Sequence, residues 1–145
     1  MIRLAYSAPP KLAKLAAKAA GVWNRALKGV AEINLPTRYR DTPHVAILFG
    51  RVDRAHDFAR IAEHQRWPGG GHTITLADDV QWQITRWQRW LGLGTDDAYA
   101  ALLHEFGHAL GLPHSDRYSD VMHSECGSTV ISADEAAEYR QFLQP

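Results

Sequence analysis

The sequence predicts an α+β fold, mixed α/β in its element order, with helices packed on a twisted sheet. Three observations carry that prediction. Three stretches show helix signals, either apolar residues at three- and four-residue spacing or a helix-start pattern. Between them lie short runs that alternate apolar and polar or are continuously apolar, as strands do. Gly- and Pro-containing turns punctuate the runs, and no repeat, linker or composition break divides the chain.

In chain order, Ile2–Tyr6 alternates and reads as a short strand. Pro9 and Pro10 open a helix, where a missing N–H costs nothing. Leu12, Leu15, Ala16, Ala19, Val22, Trp23 and Ala26 then form one apolar stripe to about Leu27. Ala31–Leu35 reads as a second strand, stopped by Pro36. The continuous apolar run within His44–Val52 predicts a central strand buried on both faces. Arg60–Trp67 is more polar and fits an edge strand, ended by the turn Pro68-Gly69-Gly70-Gly71. His72–Ala77 alternates and reads as a strand. After the break at Gly92 and Gly94, Thr95, Asp96 and Asp97 start a helix that runs to about Leu110, with Gly111 as its left-handed stop. Ser132-Ala133-Asp134-Glu135 is a capping box that opens a last helix to about Leu143.

Length and composition exclude several classes. With 145 residues, 46% hydrophobic and 22% charged, the chain fits one domain over residues 1–145 and is neither disordered nor low-complexity. Sixteen basic residues balance sixteen acidic ones, so no nucleic acid or membrane partner is expected, and a monomer is. No run reaches the ~18–20 apolar residues of a membrane helix. Lys11, Lys14 and Lys18 interrupt any signal-peptide core. The compartment is left open: inside the cell, exported by another route, or shown without a leader. Cys126 is the only cysteine, so no intrachain disulfide can form. Eight histidines point to a metal.

The chemistry concentrates in His104-Glu105-Phe106-Gly107-His108-Ala109-Leu110-Gly111-Leu112-Pro113-His114. His104 and His108, at i and i+4, project from one helix face and can share an ion. Gly111 lets the chain leave the helix sharply, which brings His114 back to close a three-nitrogen site. Zinc held by three imidazoles keeps its fourth position for water, and Glu105, about 100° around the helix from His104, reaches that water. A structural zinc site would complete four protein ligands and leave Glu105 without a task. Gly107 in mid-helix costs roughly 1 kcal/mol against Ala, which predicts a close-packed neighbour.

HEFGHALGLPHS resembles the extended zinc motif of the metzincin metalloproteases, and of the matrixins among them. Ser119-Asp120-Val121-Met122 resembles the matrixin Met-turn at matching distance. The resemblance implies His104, His108 and His114 as ligands of one catalytic zinc, Glu105 as general base and Met122 as the floor beneath the metal. It extends over nearly the whole chain: first strand, backing helix ending Val22-Trp23-Asn24, central strand, the substrate-binding edge at Ile61-Ala62-Glu63-His64, Trp82 closing the last strand, and the C-terminal helix. The fold it implies is metzincin-like, a twisted, mostly parallel sheet with an antiparallel edge strand, a backing helix, a zinc-site helix and a C-terminal helix.

The implied activity is that of a zinc-dependent endopeptidase in which Glu105 activates the zinc-bound water and a peptide or protein substrate pairs with Ile61, Ala62 and Glu63. Leu103, His123 and residues 123–128 are expected in the specificity-pocket wall. The loop Arg51–Ala59 is short, with only Asp53, His56 and Asp57, so no structural zinc or calcium is expected. Nothing precedes the first strand and the lone thiol follows the Met-turn, so the chain is expected to be active as made. Trp87 and Trp90 are expected to pack beneath the turn before the zinc helix, and Tyr118 to pack within its loop. The alternatives are a metal-dependent peptide-binding module, which would have no use for Glu105, and a zinc hydrolase of a non-peptide amide.

Overall fold

The computed structural model describes residues 1–36, 44–55, 60–125 and 128–144. His56, Asp57 and Cys126 lie outside them. The elements follow in order: β1 (Ile2–Ser7), a 3-10 turn (Pro10–Leu12), α1 (Ala13–Ala26), β2 (Ala31–Asn34), β3 (His44–Gly50), β4 (Ala62–Arg66) and β5 (His72–Ala77). Then come β6 (Trp82–Gln83), α2 (Arg86–Trp90), β7 (Asp96–Asp97), α3 (Ala98–Ala109) and α4 (Ala133–Leu143).

Five strands form one sheet in the order β2-β1-β3-β5-β4. All neighbours are parallel except β4, which runs antiparallel to β5 at the edge. The parallel pairs need crossovers, and α1 supplies the one between β1 and β2. α1 and α3 pack together, and the Trp23 indole N–H on α1 donates to Leu103 O on α3 at 2.8 Å. Tyr6 of β1 meets Phe106 of α3 edge-to-face, with ring centroids 5.6 Å apart. Trp23 also meets Tyr139 of α4 at 5.7 Å, so one indole joins three helices.

Two expectations change here. β3 is not buried on both faces: Val45 and Ile47 are buried, whereas Leu48 is 38% exposed. The helices cover one face of the sheet at this strand, and an apolar run cannot by itself tell one covered face from two. In β5 both side-chain sets are largely buried, since Thr75 and Ala77 are enclosed along with Ile74 and Leu76. The two-residue ladder β6–β7 and the short helix α2 have too little periodicity to be read from sequence.

Candidate active site

Helix α3 is held at both ends. The Asp97 carboxylate accepts from Tyr99 N (2.9 Å) and Ala100 N (3.4 Å), the N-cap arrangement. At the other end Gly111 has φ +102°, and Leu112 N–H donates back to Gly107 O at 3.0 Å. This reversal brings His114 beside His104 and His108.

The three imidazoles converge through their Nε2 atoms, 3.1 Å between His104 and His108 and 3.3 Å between His104 and His114. Tetrahedral zinc bound by nitrogen at 2.0–2.1 Å sets its ligand atoms about 3.3–3.4 Å apart, so the donor set fits the ion. The ring protons are committed elsewhere: His104 Nδ1–H donates to Val121 O and His108 Nδ1–H to Leu112 O, both at 2.8 Å. That leaves lone pairs on the facing Nε2 atoms of His104 and His108, which repel unless a cation lies between them. Protonation is not an easy escape. Burial lowers the His104 pKa to about 4, against the bond to Val121, and burial likewise lowers that of His108.

Glu105 is buried, and its Oε2 has no hydrogen-bond partner among the described residues. Burial pushes its pKa up to about 7, with Arg60 opposing and Glu63 adding to the rise. The same cleft, about 830 Å³, is lined by all three histidines and Glu105. One wall is the edge of the sheet, Arg60 to His64; another is Thr95–Asp97 with Ala100 and Ala101; Ser124 and Glu125 close a third side. Ile61, Ala62 and Glu63 therefore stand on the cleft rim, and β4 has no strand on its outer side among the described residues.

Leu103 and His123 fall elsewhere. Leu103 is fully buried in the core, because its place on α3 turns it toward α1 rather than the cleft, and Ala100 and Ala101 line the wall instead. His123 packs its ring on Tyr118, centroids 5.0 Å apart, outside the cleft lining, and Tyr118 itself is largely exposed. Met122 is fully buried, and a Cβ added to Gly107 would overlap its sulfur, which explains the mid-helix glycine.

A chain of support runs behind the three histidines. Tyr139 OH (2.6 Å) and Val121 N (2.8 Å) both donate to Glu135 Oε1, and Val121 O receives His104. Ser115 N–H donates to Met122 O at 2.9 Å, while Asp120 accepts from Ser115 Oγ (2.5 Å) and Arg117 Nε (3.0 Å). Glu135 was visible in sequence only as a capping residue. Its second oxygen reaches 14 residues back to Val121, a contact that no local pattern announces.

His64 lies against this site. Its ring stacks toward His108 at 6.4 Å, and its Nε2 is 2.8 Å from His72 Nδ1. Burial, then the neighbouring His72, lowers its pKa to about 4.

The matrixin peptidase family model matches residues 8–137. The chain belongs to the matrixins. This matrixin thus falls in a family of zinc metallopeptidases, and His104, His108 and His114 are positioned to hold the family's metal. No curated relative matches the chain. The membership also accounts for the mixed sheet with its antiparallel edge. No helix among the described residues is long and apolar enough to cross a membrane.

Proposed function

We propose that this matrixin is an endopeptidase in which His104, His108 and His114 hold the zinc and Glu105 is the general base. The observation that carries the reading is the meeting, in one cleft, of three convergent imidazoles and a buried carboxylate with a free oxygen. Bound zinc supplies a Lewis acid that polarises a carbonyl and lowers the pKa of water toward about 7. The protein supplies alignment and proton transfer. An extended peptide adds to the open side of β4 beside Ile61, Ala62 and Glu63, main chain to main chain, which places a scissile carbonyl without demanding a sequence. Glu105 takes the proton of the attacking water and passes it to the leaving amine. Met122 acts from below: it packs under Gly107 and fixes the helix that presents two of the ligands. Ala100, Ala101, Ser124 and Glu125 face the substrate where Leu103 and His123 do not.

Zinc stoichiometry measured beside turnover tests this. Glu105→Gln keeps the size and helix propensity of the side chain and is expected to retain zinc while losing about 10²–10⁴-fold in kcat. His108→Ala is expected to lose zinc and turnover together. Full turnover by zinc-loaded Glu105→Gln removes Glu105 from the mechanism. A peptide-binding module instead predicts a parent protein that binds peptides and cleaves none. Digestion of a proteome-derived peptide library with and without chelator separates peptide hydrolysis from hydrolysis of other amides.

A further inference from the structure

Helix α2 presents its apolar side chains to water. Trp87 and Trp90 are 70% and 77% exposed, and Leu91 and Leu93 beyond the helix are 57% and 54% exposed. This reverses the expectation that the two tryptophans pack beneath the turn before α3. Four large apolar side chains stand exposed within seven residues, and such concentrations mark binding surfaces more often than single exposed residues do.

The patch is preformed. Thr85 and Gln88 close a capping box, Thr85 Oγ1 accepting from Gln88 N and Gln88 Oε1 accepting from Thr85 N. Leu93 N–H returns to Gln88 O at 2.8 Å, and the two indoles meet edge-to-face with centroids 5.7 Å apart. The patch is also joined to the cleft. Arg89 lies 3.9 Å from Asp97, which both caps α3 and lines the cleft, and the chain passes from Leu93 into the cleft wall at Thr95.

We propose that Trp87, Trp90, Leu91 and Leu93 form an exosite for the apolar side chains of an extended polypeptide substrate as it leaves the cleft past Asp97; this rests on the endopeptidase reading. Continuity with the cleft selects a polypeptide as the occupant. Charge selects against an anionic lipid surface: although Arg86 and Arg89 flank the tryptophans, Glu63, Asp96, Asp97 and Glu125 line the adjoining cleft, and the chain as a whole has no net charge. Helix geometry sets the reach. Asp97 stands about 10 Å along α3 from His104 at 1.5 Å per residue. A strand covering about 3.3 Å per residue passes it in roughly three residues and meets the tryptophans only beyond that. Short peptides end before the patch, whereas long ones cross it.

The test compares the zinc-loaded parent with the Trp87→Ser/Trp90→Ser variant on two substrates: a short peptide that spans the cleft only, and the same peptide extended by a Leu- and Phe-rich segment. The ratio of kcat/KM for long over short substrate is expected to fall at least about tenfold in the variant, as loss of two aromatic anchors implies. A Gly-Ser extension of equal length is expected to give the same ratio in both proteins. An unchanged ratio with the apolar extension overturns the exosite, as does an equal fall with the Gly-Ser one. Sedimentation with anionic vesicles, or a Trp-dependent dimer, accompanied by an unchanged ratio would give the patch to lipid or to a second copy. Anisotropy of the labelled long peptide on zinc-loaded Glu105→Gln reads the surface apart from turnover. If the parent cleaves neither peptide, the endopeptidase reading fails, and binding that survives the tryptophan changes then overturns the exosite separately.

Discussion

Gly107 shows how much of the site rests on a missing methyl group. Its ideal Cβ would overlap the Met122 sulfur and stand 3.0 Å from Trp23 Cζ2, and both neighbours are fully buried. Neither can swing aside. Gly107→Ala gains up to about 1 kcal/mol of helix propensity and loses about 1–3 kcal/mol to overpacking, so a net loss near 1 kcal/mol is expected. In a chain of this size that is a Tm fall of about 2–4 °C, readable by calorimetry on the zinc-loaded protein. A rise in Tm would mean that the helix stands further from Met122. At this scale the sequence was informative wherever chemistry repeats on a helix. The spacing of His104, His108 and His114 set the convergence in advance, and the glycine announced a close neighbour. It was uninformative about which way Leu103 and His123 turn, because each sits beside a motif residue without sharing its face.

Helix α4 acts on the site without touching the cleft. Glu135 accepts from Val121 N, Tyr139 OH and Ser132 N, and Val121 in turn orients His104. Glu135→Ala leaves the buried Val121 N–H unpaired and opens the helix cap. The expected loss is about 2–4 kcal/mol in urea unfolding, with zinc affinity weakened about 10–100-fold through His104. Unaltered zinc affinity in a folded variant would disconnect α4 from the metal. The β4–β5 pair carries a pH response. His72 is held below its usual range by burial first and by Arg66 second, with His64 2.8 Å away. Because its folded value is depressed, the unfolded chain binds the proton more readily. Stability is therefore full above about 6.5 and declines as pH falls below that. His72→Gln is expected to flatten this slope in urea titrations between pH 7 and 5; an unchanged slope would assign it to other groups. Capping boxes and Gly stops made most elements legible, but α2 was missed. Its box, Thr85 to Gln88, opens a helix of only five residues, too few for an apolar stripe to show.

For the whole molecule, zinc is expected to be a large share of stability. The lone pairs on His104 and His108 Nε2 face one another in the folded chain and are dispersed in the unfolded one, so the ion binds the native state selectively. At a free zinc concentration about a thousandfold above Kd, linkage adds about 4 kcal/mol, or roughly 8–16 °C in Tm. Chelation should remove that increment, and His108→Ala should be insensitive to chelator. A Tm indifferent to chelation in the parent would mean that the three imidazoles hold no ion. The strand–helix order made the mixed fold readable, and the resemblance around the zinc motif supplied its parallel sheet and antiparallel edge. Which face of β3 stays open was not readable, since burial on a sheet depends on what distant segments lay over it.

The unpaired side of β4 imposes a constraint of another kind. On the proposed reading this border receives a substrate strand, and a border open to one strand is equally open to the wrong one, including the matching border of a neighbouring molecule at high concentration. The sequence of β4, Ala-Glu-His-Gln-Arg, contains no large aliphatic side chain and carries two opposite charges, Glu63 and Arg66. Changes that made β4 stickier to gain affinity for peptides would also favour self-association. The polarity of this strand therefore limits how tightly the protein can hold its substrates before it begins to aggregate.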